Sequence, residues 1–169
     1  SISAEDTAQL QENLIRTHAT GFGEPFKKDV VRAIILIRIN SLLKGNSGIR
    51  LSTVEALINM LNADVIPHIP EKGSLGASGD LAPLAHMVLP LLGLGKAYYE
   101  GELMSGREAM EKAGQEIITL GAKEGLALIN GTTVLTAVGA LATYDAIELL
   151  KLNDVAGALS LEVHNGIHD

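Results

Sequence analysis

The chain has 169 residues, which is one domain's worth of sequence and enough to bury a sizeable core. Its formal net charge of −7, from 13 basic and 20 acidic residues, argues against nucleic acid and anionic membrane surfaces as partners. Cysteine is absent, which excludes disulfides and thiolate chemistry and fits a cytoplasmic location. Hydrophobic residues make up 47% of the chain but aromatic residues only 3%, as in a core of close-packed aliphatic helices.

Hydrophobic spacing predicts helices in the first third of the chain. The first helix begins after Ser3, which can cap it, and is expected to end near Gly21. A second helix is predicted over residues 27–44 and a third over residues 52–63, with a glycine-rich break between them.

Proline and glycine then predict a long loop over residues 67–76, and a loop of this length is usually functional. The helix that starts at Leu81 is interrupted by Pro90 and stopped by the glycines that follow. Residues 97–104 are compatible with one small β-hairpin.

Helical spacing returns in the last third of the chain. Ser105 is placed to cap a short helix over residues 107–113. The last helices are predicted over residues 123–129, 132–152 and 155–163. The high apolar content suggests that some helix faces meet another subunit or another part of the protein.

One uncharged stretch, residues 125–144, is long enough to cross a bilayer. Polar residues, including Asn130 and Thr132, interrupt this stretch, and no basic cluster flanks it. We therefore expect no membrane partner, and a helix that is buried on all sides in a helical core.

Three small residues of the predicted loop, Ala77, Ser78 and Gly79, permit an unusual reaction of the backbone. In a tight turn the amide nitrogen of Gly79 can approach the carbonyl carbon of Ala77, because glycine has no Cβ to block it. Loss of water closes a ring, and loss of the Ser78 hydroxyl as a second water leaves an exocyclic methylene, which is an electrophile. From these residues alone an ordinary loop-to-helix junction is favoured, with Asp80 as the helix N-cap.

The sequence around the triplet favours the ring-forming reaction instead. Residues 72–86 resemble the signature of the aromatic amino acid ammonia-lyases, and the resemblance continues through residues 13–19 and 122–132. It implies a mainly α fold, an elongated helical-bundle core of the ammonia-lyase type with a long loop that carries Ala-Ser-Gly. It also implies that Ala77, Ser78 and Gly79 form the prosthetic group methylidene-imidazolone.

The same resemblance implies roles for three further residues. Thr17-His18 is similar to the pair that contacts the substrate ring in members that act on histidine, and Asn130 matches the asparagine that helps to form the prosthetic group. By their local sequence alone, His18 is compatible with a surface cation and Asn130 with a helix C-terminus. The implied reaction is elimination of ammonia from L-histidine to give urocanate.

Alternatives to this reaction remain open. The same prosthetic group serves lyases that act on tyrosine or phenylalanine, and aminomutases. A different kind of function is that of a catalytically inactive helical piece that acts in assembly. No tyrosine of this chain matches the catalytic tyrosine of the family, which gives this alternative weight.

The resemblance also implies which partners the protein has and how much of a subunit this chain covers. The subunits of the family are much longer, so we interpret residues 1–169 as a single helical segment, the central part of a lyase subunit that carries the active site. The implied partners are an amino acid substrate, the missing parts of the same subunit, and identical subunits in a tetramer. We expect no metal, since His68 and His86 lack the spacing and the carboxylates of a metal site.

Overall fold

The computed structural model describes residues 4–167, with side chains from Asp6 onward. The described part is mainly helical, as predicted, and Ser3, the expected first cap, lies outside it. The α-helices are α1 (Ala4–His18), α2 (Lys28–Leu42), α3 (Leu51–Asn62), α4 (Leu81–Val88), α5 (Gly106–Lys112), α6 (Glu124–Ile129) and α7 (Thr133–Val163). A 3₁₀ turn, Leu89–Leu92, follows α4 directly.

Within residues 4–167, five short strands form two small antiparallel sheets. The strands are β1 (Phe22–Pro25), β2 (Ile66–Pro67), β3 (Pro70–Lys72), β4 (Lys96–Tyr99) and β5 (Glu102–Ser105). In one sheet β1 pairs with β3, and in the other the strand order is β2-β4-β5. The hairpin predicted over residues 97–104 is confirmed, with Tyr99 opposite Glu102 next to the turn. The β1–β3 pair was not predicted, because proline and glycine in these strands mask the usual strand pattern.

Most predicted helices lie where the sequence places them. Helix α1 ends at His18, before the expected end at Gly21. The helical path does not end at Pro90 but continues past α4 as the 3₁₀ turn. Gly93, with φ of 70°, ends that turn. The Ser105 cap is confirmed, since its hydroxyl accepts a hydrogen bond from the Glu108 amide at 3.2 Å.

Two predictions about the last helices are wrong. Residues 132–152 and 155–163 do not form separate helices, since α7 runs without a break from Thr133 to Val163. Asn153 and Asp154 are weak helix formers, but neither carries the penalty of proline, so the helix continues through them. The stretch over residues 125–144 is also not one buried helix. It is broken between α6 and α7, and Leu135 is 70% exposed.

By its packing the chain divides into two units, Ser1–Ala137 and Val138–Asp169. The second unit is the remainder of α7 and the residues after it, and its large apolar side chains are exposed. The stretch Glu124–Val163, which contains α6 and α7, is long and apolar enough to cross a membrane, but core helices of soluble proteins can have the same length and composition. The prediction of a single segment within a longer subunit stays a prediction.

The core of the first unit is aliphatic, as the composition predicts. Helix α4 packs against both α1 and α6, while α2 packs against α3. Because the loop before α4 carries the Ala77-Ser78-Gly79 triplet, these contacts bring the ends of α1 and α6 close to it. The largest side chains with almost no exposure are Ile15, Ile34, Ile35, Leu42, Leu57, Met60, Ile69, Leu84, Met87, Leu91, Met110 and Leu128.

Candidate active site

The Ala77-Ser78-Gly79 triplet lies at the end of the loop that precedes α4. Ala77 and Ser78 are exposed, whereas Gly79 is buried. Gly79 has φ of +141°, a conformation that residues with a Cβ rarely adopt. A Cβ at this position would lie 2.8 Å from the Gly131 nitrogen and 3.2 Å from Oδ1 of Asn130. The fold therefore brings the predicted site residue Asn130 directly against the triplet.

Asp80 ties the triplet to helix α7. Its amide donates a hydrogen bond to the carbonyl oxygen of Gly131 at 2.8 Å. Its buried carboxylate accepts hydrogen bonds from the amides of Val134 at 2.9 Å and Leu135 at 3.0 Å, and from the hydroxyl of Ser74 at 2.8 Å.

The expected N-cap position of Asp80 at α4 is confirmed, but its side chain does not cap that helix. Asp80 does precede α4, but its carboxylate makes no capping hydrogen bond to that helix and instead caps α7. The first amides of a helix lack partners within the helix, and the helix dipole favours a negative charge beside them. The buried start of α7 supplies two such amides.

Thr17 and His18 form the end of α1, on the other side of the triplet. Nδ1 of His18 donates a hydrogen bond to the carbonyl oxygen of Leu14 at 2.8 Å, and the hydroxyl of Thr17 donates to the same oxygen at 3.0 Å. The imidazole of His18 is therefore held in one orientation, in which Nε2 is the nitrogen left for another partner.

The segment after α1 is attached to the loop that carries the triplet. The Gly21 amide donates a hydrogen bond to Nε2 of His86 at 3.0 Å, and a Cβ on Gly73 would lie 3.0 Å from Cα of Gly21. Burial, and then the charge of the nearby His68, lower the pKa of His86. A neutral His86 with its proton on Nδ1 is the form that can accept this hydrogen bond at Nε2.

A cavity of about 300 Å³ joins these parts. It brings together five of the six predicted site residues, while Asn130 contacts Gly79 from outside the lining. The lining residues are Thr17, His18, Thr20, Gly73, Leu75, Ala77, Ser78, Gly79, Leu81 and Ala82. Another cavity, of about 350 Å³ beside Phe26 and Tyr98, contains none of the predicted site residues.

His68 lies outside this cavity. Its ring stacks at a tilt on Tyr98 with 5.9 Å between centroids, and burial is the main cause that lowers its pKa. In the described part of the chain, no group of three or more histidine, aspartate or glutamate side chains is placed to hold a metal ion. The absence of a metal in the protein stays a prediction.

Two charged residues that support the site were missed by sequence reasoning, and Glu124 is the first. It lies at the start of α6 and is almost fully buried. Its carboxylate accepts hydrogen bonds from the side chain and amide of Arg50, from the Gly121 amide and from the Thr53 hydroxyl. Burial acts to raise the pKa of Glu124, but these hydrogen bonds together outweigh it and lower the pKa to about 2.

Arg38 is the second, and it lies at the opposite end of α6. It is 4% exposed, and its Nη2 donates hydrogen bonds to the carbonyl oxygens of Ala127 and, at 3.0 Å, Asn130. Desolvation by burial lowers the pKa of Arg38. One signal was available in the sequence, because Arg38 lies at helical spacing between Ile34 and Leu42 on the apolar face of α2.

Comparison with known proteins agrees with this geometry. All of residues 1–169 match the family described as "Aromatic amino acid lyase". The chain belongs to the aromatic amino acid lyase family. It is 80% identical, over 167 residues, to histidine ammonia-lyase from Streptococcus pyogenes serotype M1, and 77% identical to that from Streptococcus sanguinis strain SK36. These matches cover 99% of the chain and 33% of each relative.

Solved structures of aromatic amino acid lyases and related enzymes have the same fold. Histidine ammonia-lyase from Trypanosoma cruzi superposes with a TM-score of 0.93 at 42% identity, over 98% of this chain and 33% of that one. Phenylalanine aminomutase from Pantoea agglomerans gives a TM-score of 0.80 at 46% identity, over 85% of this chain and 27% of that one. The predicted family and fold are confirmed, and the chain spans about a third of the length of its curated relatives.

Proposed function

We propose that the protein that contains this chain eliminates ammonia from L-histidine to give urocanate, with an electrophile formed from Ala77, Ser78 and Gly79. The observation that carries the proposal is the single cavity that joins the triplet to Thr17 and His18, with Asn130 against Gly79. Relatives named histidine ammonia-lyase at 77–80% identity support the choice of substrate.

The residues present fit methylidene-imidazolone, the prosthetic group of the family. Closure of the ring joins the Gly79 nitrogen to the Ala77 carbonyl carbon and releases water, and a second water leaves with the Ser78 hydroxyl. The Gly79 backbone occupies a region that favours glycine, and Asp80 and Gly131 hold the chain just after it. Ser78 is exposed to the cavity side of the loop, where its methylene can meet a substrate.

The group, once formed, supplies an electrophile that activates the substrate for loss of ammonia. The side chains around it bind and orient that substrate. His18 lines the cavity and its Nδ1 is held by Leu14, which leaves Nε2 as the nitrogen that can accept a hydrogen bond from the imidazole N–H of histidine. The first amides of α4 lie directly after the loop, where the positive end of the helix dipole stabilises developing negative charge.

Removal of the β-proton needs a base, which we assign to a part of the subunit outside this chain. Among the tyrosines, Tyr98 contacts His68 and lines the other cavity, not the one beside the triplet. We also propose a homotetramer located in the cytoplasm, by analogy with the family.

An aminomutase is the second candidate function, because a phenylalanine aminomutase is among the structural neighbours. Identification of the product separates the two: a lyase gives an unsaturated acid, and an aminomutase gives a β-amino acid.

The test is Ser78→Ala in the complete subunit. Ser78 supplies the carbon of the methylene, so the variant should fold normally and lose almost all urocanate formation. In the unchanged protein, the peptide that contains the triplet should be lighter than its sequence by the mass of two water molecules. Ser52→Ala, an exposed change on α3, is the control and should retain both properties. Normal turnover by Ser78→Ala would disprove the proposal.

A further inference from the structure

The turn formed by Asn130 and Gly131 meets the triplet mainly through backbone atoms. The Asp80 amide donates to the Gly131 carbonyl oxygen at 2.8 Å, and the Cβ position of Gly79 lies within 2.8 Å of the Gly131 nitrogen. The position of Gly79 therefore depends on where the backbone of this turn is held. Helix α6, which leads into the turn, has six residues and is too short to hold itself in place.

Arg38 contacts this turn from the side of helix α2. Its Nη2 donates to the carbonyl oxygens of Ala127 and Asn130, which are among the last acceptors of α6. A Cβ on Gly131 would lie only 2.5 Å from Nη1 of Arg38, so the guanidinium packs directly on the Gly131 backbone. One side chain therefore contacts the end of α6 and both residues of the turn.

The stability of the core does not account for a cation at this position. Arg38 is almost fully buried, and its Nε has no hydrogen-bond partner in the described part of the chain. None of the ion pairs among the residues with described side chains includes Arg38. An apolar side chain of similar size would avoid the cost of burying an unpaired charge.

Arg32, on the same helix, is a useful contrast. Its Nη1 pairs with the carboxylate of Asp64 at 2.8 Å, and its side chain is 41% exposed. That is an ordinary partly exposed ion pair, which contributes little to stability. Arg32 also donates to the carbonyl oxygen of Leu61 at 3.2 Å, but only Arg38 binds carbonyls at the turn beside the triplet.

From this geometry we infer that Arg38 is a positioning residue, which holds the Asn130-Gly131 turn at the distance from Gly79 that closure of the ring requires. The inference rests on the proposed function of the triplet. Arg38 does not touch the substrate or the reacting atoms, and it acts through Asn130 and Gly131. A small displacement of reacting groups can cost up to about 100-fold in rate, so a loose turn should slow ring closure strongly.

The test compares Arg38→Met, Arg38→Lys and the control Arg32→Met in the complete subunit. The first readout is the rate at which the peptide with the triplet loses the mass of two waters after synthesis. Arg38→Met should fold, with unchanged circular dichroism, but close the ring about 10- to 100-fold more slowly. Arg38→Lys, which keeps one cationic donor, should be intermediate, and Arg32→Met should match the unchanged protein.

A second readout separates positioning from a general structural role. Arg38→Ala leaves space for a guanidinium ion, and addition of guanidinium at concentrations that do not unfold the protein should restore ring closure. Equal rates of closure in Arg38→Met and Arg32→Met would overturn the inference. So would misfolding of the Met and Lys variants alike with no rescue by guanidinium, because Arg38 would then hold the fold. An unchanged protein with no loss of water would instead refute the proposed function, and this inference with it.

Discussion

At the scale of single residues, one hydrogen bond within α1 fixes the orientation of the His18 ring. Nδ1 is committed to the Leu14 carbonyl oxygen within its own helix, so the ring does not need to be ordered by a ligand. Thr17 shares the same acceptor. The end of α1 thus presents a fixed polar wall to the cavity beside the triplet.

Replacing Thr17-His18 by Phe-Leu should shift substrate preference from histidine to phenylalanine. The change exchanges a hydrogen-bonding wall for an apolar one, and the loss of a substrate hydrogen bond commonly costs a factor of about 10 or more in specificity. The measurement is the ratio of kcat/KM for the two amino acids in the complete subunit. Thr20→Val, which removes another hydroxyl from the same cavity, is the control. An unchanged ratio would mean that His18 does not select the substrate.

Some site residues could be predicted from sequence and others could not. Ala77, Ser78 and Gly79 permit ring formation, but only the resemblance of residues 72–86 to the family favoured it, and His18 and Asn130 were assigned by the same resemblance. The role of Arg38 could not be assigned in this way, because its partners are main-chain carbonyls 89 and 92 residues further along the chain. A carbonyl acceptor is available at every residue, so sequence alone does not identify which ones a buried arginine binds.

At the scale of secondary structure, α6 is a short helix with a charged anchor at each end. Glu124 attaches its start to Arg50 and Thr53, and Arg38 binds the carbonyls at its end. Neither anchor lies in the cavity beside the triplet. The position of Asn130 therefore depends on side chains that do not line this cavity.

The low pKa of Glu124 predicts acid sensitivity. Its folded value of about 2 lies below the ordinary value of 4.5, so its stabilising effect is complete above about pH 4.5 and is lost as the pH falls towards 2. The difference corresponds to about 3 kcal/mol. The urea midpoint of the unchanged chain should fall over this range, and that of Glu124→Gln should start lower and fall less. Glu55→Gln, an exposed change on α3, should behave like the unchanged chain, and a flat profile for that chain would contradict the prediction.

Removal of the Asp80 carboxylate should destabilise the start of α7. Asp80→Ala deletes the acceptor for two helix amides and for Ser74, and loss of a helix cap costs about 0.5–2 kcal/mol. Asp145→Asn, an exposed change further along α7, should cost almost nothing. The check is the free energy of unfolding from urea titrations. Equal stabilities of the two variants would show that Asp80 is not the cap.

The elements themselves were predictable where a local signal marks them. Ser105 begins α5 with its own cap, and Pro90 marks the end of α4. Asp80 is the N-cap residue of α4, as predicted, but sequence reasoning missed the partners of its carboxylate, because Val134 and Leu135 are 54 and 55 residues away. Helix α7 was divided in two because weak helix formers at its middle resemble an end.

At the scale of the whole molecule, the second unit exposes a long series of apolar side chains. Leu149 is 67% exposed, Leu152 65% and Leu159 62%. Contiguous apolar surface of this kind usually marks contact with another chain or another part of the protein. The exposure agrees with a chain that spans a third of the length of its curated relatives.

The 169-residue chain, purified alone, should be helical and self-associating but inactive on histidine. Exposed apolar residues of α7 favour association, and a missing general base is worth about 100- to 10,000-fold in rate. Light scattering should show oligomers, and an assay for urocanate should stay at background. The double change Leu152→Lys and Leu159→Lys should reduce association while leaving helicity unchanged. Robust urocanate formation by this chain would contradict the prediction and assign the base to one of its own residues.

The hydrogen bonds of Asp80 also set an order of events during biosynthesis. A chain leaves the ribosome from its N-terminus, so residues 77–79 are made well before Gly131, Val134 and Leu135 exist to bind Asp80. Until then Asp80 lacks these partners, and the loop can contact only residues made earlier, such as Gly21. The cap between Asp80 and Val134 can therefore form only after at least 54 residues beyond Asp80 have been translated.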